Sequence, residues 1–247
     1  MNTSDNPVRI ETCSDPVAGA AQSRAETLAE RYARMAHEYA RPRRVDSELR
    51  ALDVALSSVA LVLLSPFLAL AAVAILVTSG RGVLYRGRRV GRGGGIYTMY
   101  KFRTLKSGAE GRIGQYYGSE LTEQTTLEQT RLGRVLRFLH LDEIPQLWNV
   151  LRGDMSIVGP RPIRPTFFEE LCVEIPQYWQ RLVVRPGITG FAQLRMTRET
   201  SWVEKLAHDL EFIADRSTRL YLRVCLATAW RIVTLPFRKL ARVLNGS

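Results

Sequence analysis

Residues 54–79, VALSSVALVLLSPFLALAAVAILVTS, contain no charged side chain. As a straight helix these 26 residues would reach about 39 Å, against a bilayer hydrocarbon core of about 30 Å. A helix buried in a soluble core is rarely so long or so uniformly apolar, so the run predicts a membrane helix. Ser65-Pro66 falls near its middle. Proline there removes a backbone hydrogen bond and crowds the preceding turn, at about 3 kcal/mol unless the helix kinks. Divided at that point, the limbs 54–65 and 66–79 would reach about 18 and 21 Å, enough for one leaflet each. Arginines flank both ends: Arg41, Arg43, Arg44 and Arg50 before, Arg81, Arg86, Arg88, Arg89 and Arg92 after. The positive-inside tendency places such clusters on the cytoplasmic side. A straight span would put one cluster on the wrong side, whereas a re-entrant hairpin keeps both inside. Ordinary spanning helices also tolerate proline, so both arrangements stay open, with the hairpin favoured.

The charge pattern extends this reading. The 247-residue chain has a formal net charge of +11, which suggests an anionic partner. Residues 1–50 and 107–200 are each neutral, while 51–106 carry +7 and 201–247 carry +4. The excess therefore adjoins the most apolar parts of the chain. That is the signature of an anionic membrane surface rather than of the broad polar footprint of a nucleic-acid binder, so no nucleic-acid partner is expected. Three widely spaced cysteines, Cys13, Cys172 and Cys225, argue against a disulfide frame and against a cysteine zinc site.

The expected architecture is α+β and mostly helical. Residues 1–45 read as a tail with a short helix over 21–40, and 46–82 as the re-entrant membrane helix kinked at Ser65-Pro66. Residues 83–200 read as a cytoplasmic catalytic domain, and 201–247 as basic amphipathic helices at the membrane surface. Within the domain, residues 83–105 predict a small β-hairpin around the Gly-rich turn Arg92-Gly93-Gly94-Gly95, which needs positive φ. The turn completes neither phosphate-loop fingerprint. Residues 107–130 read as a polar, mobile loop. Helices are expected over 131–151 with a break near Pro145, over 166–183, and over 201–244 with an interruption near Pro236. In this last stretch Trp202, Leu206, Leu210, Leu226, Trp230 and Val233 alternate with arginines, which suits helices lying on anionic lipid.

The candidate chemistry centres on Asp142-Glu143. A solvated helix start, with Asp142 as cap and Pro145 in the first turn, would explain the pair alone. Its surroundings point further. Arg137 lies five residues earlier, and Arg161 is mounted between Pro160 and Pro162, which restrict its backbone. Arg185-Pro186-Gly187 repeats that mounting. Guanidinium groups match phosphate oxygens bidentately. A carboxylate pair among arginines suits phosphoryl chemistry, one carboxylate attacking phosphorus or orienting a nucleophile and the other holding Mg²⁺.

Four segments carry a resemblance: Tyr100-Lys101-Phe102-Arg103-Thr104-Leu105, the run Leu141–Leu151 (LDEIPQLWNVL), the run Gly153–Pro162 (GDMSIVGPRP), and Arg185-Pro186-Gly187-Ile188-Thr189-Gly190. Over about residues 45–240 the chain resembles the bacterial sugar transferases, the monotopic polyprenyl-phosphate phosphoglycosyl transferases, in their small single-module form. Ser65-Pro66 matches the break in that family's re-entrant helix. The resemblance implies a two-step, Mg²⁺-dependent transfer at the cytoplasmic face of a bacterial inner membrane, in a polysaccharide or glycoconjugate pathway. Asp142 would attack the sugar-linked phosphate of a UDP-sugar, releasing UMP, and polyprenyl phosphate would then take the phosphosugar. Glu143 matches the Mg²⁺ position. Lys101, Arg137 and Arg161 match basic positions expected around phosphate and nucleotide, and Arg103 of the first segment and Arg185 complete the candidate phosphate- and nucleotide-binding set. A homo-oligomer is compatible with this. One departure precedes the dyad: Phe138-Leu139-His140 stands where the family more often has a basic-polar run. The alternative from another class is a membrane-anchored basic binding protein without catalysis, which would explain the charge and the apolar run but not the dyad.

Overall fold

The computed structural model describes residues 43–113, 118–196 and 200–244; the expected N-terminal tail and its helix lie outside these residues. Helix α1 (Arg44–Ser79) is a single element through Pro66. Proline at 66 leaves the Val62 carbonyl without its usual helical donor, and the Ser65 hydroxyl donates to that carbonyl at 2.8 Å. The Ser-Pro pair thus compensates its own lost hydrogen bond.

Both limbs of α1 pack on the same globular body. On the first limb Leu49, Asp53 and Ser57, one turn apart, are buried. The Asp53 carboxylate accepts from Ser156 Oγ at 2.9 Å, the Ile157 amide at 2.8 Å and Tyr221 Oη at 2.7 Å, which fastens the helix to the domain with its buried charge satisfied. Arg50 donates to the Val150 and Leu151 carbonyls. Ile75, about five turns beyond Ser57 and so on the same face, buries with Leu68, Ala71 and Ala72 beside it. Between and opposite these stripes, Val59, Val62, Leu63, Phe67, Leu70, Val73 and Val77 are exposed. An apolar surface of that extent marks a lipid or partner contact.

Strands β1 (Leu84–Val90) and β2 (Ile96–Phe102) form the expected antiparallel hairpin, with Leu84 opposite Phe102 and Val90 opposite Ile96. Its turn has Gly93 and Gly94 at φ 65° and 78°, as the sequence required. The following segment corrects the expected mobile loop. It holds two helices, α2 (Ala109–Ile113) and α3 (Gly118–Leu127), with Ala109 and Ile113 buried and Leu105 bridged to Gln129. Polar composition hid them, because tertiary pairing such as Arg112 with Glu128 (2.7 Å) supplies what periodicity does not.

Helix α4 (Arg131–Phe138) lays Leu132 and Leu136 against the second limb of α1. A 3-10 turn (Leu141–Glu143) leads to α5 (Gln146–Arg152), so the expected break begins well before Pro145, which sits at the α5 N-cap. Next come β3 (Ser156–Val158), α6 (Pro165–Glu174), a 3-10 segment (Pro176–Val183), β4 (Gly187–Thr189) and α7 (Phe191–Arg195). The single helix expected over 166–183 is thus divided at Ile175-Pro176, where proline withdraws a donor. β3 and β4 pair in parallel, Ser156 with Gly187 and Val158 with Thr189. A Cβ at Gly187 would lie 2.1 Å from the Gly159 nitrogen, so only glycine admits this approach. A core of Phe168, Leu171, Tyr178, Trp179, Leu182 and Leu206 lies behind it.

The C-terminal stretch forms α8 (Trp202–Asp215) and α9 (Thr218–Leu244). The break falls at Arg216-Ser217, not near Pro236, through which α9 continues. Arg216 turns away to the Asp46 carboxylate (2.7 Å) and the Ile213 carbonyl, and the Ser217 hydroxyl accepts from the Leu220 amide to start the next helix. Tyr221 and Val224 on α9 are buried, whereas Leu226, Trp230 and Val233 are exposed.

Candidate active site

The site is assembled from a glycine upward. A Cβ at Gly133 would stand 2.0 Å from the Thr104 carbonyl oxygen, so glycine lets α4 press against the chain leaving β2. Thr130 caps α4 by accepting from the Gly133 amide at 2.9 Å. This contact sets Arg137, one turn further along α4, beside Thr104, whose hydroxyl accepts from Arg137 Nε at 2.8 Å.

Helix α4 ends at Phe138, and His140 then adopts a left-handed conformation (φ 57°), uncommon outside glycine although histidine is among the side chains that tolerate it best. That turn swings the chain into Leu141–Glu143. Leu141 drops into the apolar cluster around Ile75, and Asp142 is buried at 8% exposure. The dyad is therefore not a solvated helix cap. Of the apolar residues around it, Val150 is fully buried while Trp148 remains 54% exposed.

Lys101 on β2 reaches the dyad from the other side, its Nζ 2.5 Å from Glu143 Oε1. Asn149, fully buried on α5, fixes that strand: it accepts from the Tyr100 amide at 3.0 Å and donates to the Thr98 carbonyl at 2.7 Å and to Asp154 at 3.1 Å. In the sequence Asn149 stands out only as one letter of the LDEIPQLWNVL run. An asparagine within an otherwise apolar run was the available signal of a buried amide bracing backbone.

Electrostatics divide the two carboxyls. Burial, and then the neighbouring Glu143, push Asp142 above the usual carboxylate range, against the pull of Lys101, Arg137 and His140. Burial would also raise Glu143, but Lys101 and Arg161 overcome it and bring that carboxyl down to about 2. Burial presses the Lys101 ammonium downward and Glu143 opposes it; a 2.5 Å contact to so acidic a carboxylate is that of a charged pair.

Lys101, Arg137 and Arg161 thus surround the dyad. Two other expected phosphate ligands are engaged elsewhere. The Arg103 guanidinium covers the end of α1, donating to the Ser79, Gly80 and Arg81 carbonyls, which closes a helix C-terminus otherwise short of donors. Arg185 donates to the Gly153 carbonyl at 2.9 Å, near Arg50 and Arg92.

The carboxylate pair also bears on metal binding. Among the described residues no group of three or more His, Cys, Asp or Glu side chains converges. Mg²⁺ needs fewer protein ligands, commonly one or two carboxylates completed by substrate phosphates and water. The hard oxygen donors of Asp142 and Glu143 fit that pattern.

The bacterial sugar transferase family profile matches residues 46–235, which include every element of this site. The chain is 35% identical over 200 residues to the UDP-N-acetylgalactosamine-undecaprenyl-phosphate N-acetylgalactosaminephosphotransferase of Aeromonas hydrophila, covering 80% of this chain and 44% of that protein. It is 38% identical over 196 residues to the UDP-glucose:undecaprenyl-phosphate glucose-1-phosphate transferase of Caulobacter vibrioides, covering 77% and 71%. To the exopolysaccharide production protein PSS of Rhizobium leguminosarum bv. phaseoli it is 34% identical over 190 residues, covering 72% and 92%. The chain thus spans less than half of the first relative and most of the other two. With the family match covering the long apolar helix, the dyad and its basic frame together, the chain belongs to the bacterial sugar transferases, a family of transferase enzymes.

Proposed function

We propose that the protein transfers a phosphosugar from a UDP-sugar to polyprenyl phosphate, releasing UMP, through a covalent intermediate on Asp142. The observation that carries this reading is the pairing of a buried Asp142 with a Glu143 already held by Lys101, inside the field of Arg137 and Arg161. An Asp142 carboxylate oxygen attacks the sugar-bearing phosphorus, the bond from that phosphorus to the bridging oxygen breaks, and UMP departs with the electron pair. An oxygen of polyprenyl phosphate then attacks the acyl phosphate, restoring the carboxylate and giving polyprenyl-diphospho-sugar. Arg137 and Arg161 stabilise the phosphoryl oxygens as charge builds on them. Glu143, with Asp142 beside it, would hold Mg²⁺, which when bound neutralises diphosphate charge. Relatives named as transferring sugar phosphates to undecaprenyl phosphate support the choice of substrates.

The same reading places the enzyme on the cytoplasmic face of the inner membrane, with α1 re-entrant. Its support is the contact of both α1 limbs with one domain. A straight span about 54 Å long would carry Arg50 and the partners of Arg103 to opposite ends of a bilayer, yet both ends bind residues of the catalytic body. The exposed Leu226, Trp230 and Val233 of α9, set among Arg223 and Arg231, support contact with anionic lipid.

The test is UMP release by the purified protein in nanodiscs, with undecaprenyl phosphate and a panel of UDP-sugars. The expected outcome is lipid-dependent UMP from a restricted set of sugars. Absence of UMP with every sugar would favour the membrane-anchored binding protein instead.

A further inference from the structure

Arg161 stands on a short extended segment held by three hydrogen bonds to successive parts of its backbone. The Pro160 carbonyl accepts from the Gly187 amide at 2.9 Å and the Ile163 carbonyl from the Val90 amide at 3.0 Å. The bond between them, to the carbonyl of Arg161 itself, comes from a side chain: Arg181 Nη2, at 2.9 Å. The same nitrogen lies 2.8 Å from Asp209 Oδ2 on α8, and Nη1 donates to the Tyr178 hydroxyl. Arg181 and Asp209 are 5% and 7% exposed at their side chains.

A buried ion pair is costly to desolvate and is weak evidence of stabilisation, since apolar residues of similar size often replace one without loss. Packing alone therefore does not account for Arg181. Its fork instead makes a contact that an apolar side chain could not, on the peptide that carries Arg161. Arg161 in turn contributes to the field that holds Glu143 ionised.

We infer that Arg181 and Asp209 form a positioning pair that sets Arg161 for the diphosphate of the nucleotide sugar, through the Arg161 carbonyl. This rests on the reading of Arg161 as a phosphate-binding residue. Asp209 orients the guanidinium, Arg181 fixes the Arg161 peptide, and the Arg161 side chain is delivered to the site with less freedom to lose on binding. Helix α8, remote in sequence from the dyad, thereby becomes part of the substrate-binding apparatus.

The test is a mutant cycle on the full-length protein in nanodiscs, measuring KM for the UDP-sugar, kcat, affinity for UMP and melting temperature. Arg181→Met with Asp209→Leu removes both charges together and should keep the fold. It should raise KM and weaken UMP binding about tenfold, as expected for a misplaced binding group. Arg161→Ala should do at least as much. Combining the three substitutions should add nothing beyond Arg161→Ala, because the pair acts only through Arg161. Tyr178→Phe, which takes a bond from the other arm of the fork, should change stability but not KM. An impaired Arg161→Ala beside a pair variant with parental KM, or effects that multiply in the triple variant, would overturn the positioning role alone. Parental kinetics in Arg161→Ala would overturn the phosphate-binding reading and the inference with it. If the double variant does not fold, Arg181→Lys, which keeps a charge beside Asp209 but loses the fork, enters the same cycle with the same outcomes.

Discussion

Lys101 Nζ lies 2.5 Å from Glu143 Oε1, and this contact, with Arg161 behind it, sets Glu143 apart from the adjacent Asp142. Glu143 is stabilised as a carboxylate, while Asp142 beside it carries the cost of burial and of its neighbour's charge. Replacing Lys101 with Met should leave the partly buried Glu143 carboxylate without its nearest partner. The expected cost is about 1–3 kcal/mol of stability, or roughly 2–12 °C in melting temperature for a chain of this size. UMP release should fall by about a hundredfold or more. A Lys101→Met protein with parental melting and parental turnover would show that the pair is incidental.

Asp142→Asn separates chemistry from folding. The amide keeps the shape but cannot form the acyl phosphate, so turnover should be lost. Because the native carboxylate is buried beside Glu143, the neutral variant should melt at or slightly above the parent temperature. UMP release near the parent rate would remove Asp142 as nucleophile.

Glu143→Gln probes the metal. The half-saturating Mg²⁺ concentration for UMP release should rise about tenfold or more, with partial recovery at high Mg²⁺, since a neutral amide is a poor ligand for a hard cation. An unchanged Mg²⁺ titration would take Glu143 out of the metal site.

Much of this site was legible in sequence because its parts are local. The dyad, the proline-mounted Arg161 and the glycines of the hairpin turn each declare themselves within a few residues. The partners that fix them do not. Thr104 with Arg137, Asn149 with Tyr100, and Arg181 with Arg161 are 20 to 49 positions apart, and no periodicity links them. The helices within 107–130 are hidden for a similar reason: the Arg112–Glu128 pair that ties them together joins residues 16 positions apart. At the C-terminal end a capping serine outweighs proline: the helix breaks at Ser217, whose hydroxyl accepts from the Leu220 amide, and continues through Pro236.

Arg103 illustrates how a motif position and a geometry can point in different directions. Sequence resemblance makes it a phosphate ligand, while the fold uses its guanidinium on three carbonyls at the end of α1. Arg103→Met should therefore destabilise the protein by about 2–4 kcal/mol, as loss of charged hydrogen bonds to a helix terminus would. KM for the UDP-sugar should stay within about twofold of the parent, well below the tenfold that a loss of 1.4 kcal/mol in binding would give. A large KM change with unaltered melting would restore the phosphate role.

The last expectation concerns topology, on which access to both substrates depends. A UDP-sugar is soluble, whereas polyprenyl phosphate presents its phosphate at headgroup level, so under the proposed function the dyad would sit where the two meet. Leu49 and Ile75 are both buried against the same domain, and a helix that dips into one leaflet and returns would keep both contacts. It also leaves the arginines on both flanks in the cytoplasm. Ser65 and Pro66 would make such a turn inexpensive, because the serine hydroxyl already serves the carbonyl that proline leaves without a donor. Cysteines placed near residues 20 and 110 should accordingly be labelled only from the cytoplasmic side. Ser65→Ala with Pro66→Leu should favour a straight helix, and the 26-residue apolar run is long enough to span. In that variant the N-terminal cysteine should become partly accessible from outside, and activity should fall as the first limb leaves β3 and α5. A parent protein whose residue 20 is labelled from outside would establish an ordinary span and end the re-entrant reading, while leaving the dyad chemistry to be judged on UMP release.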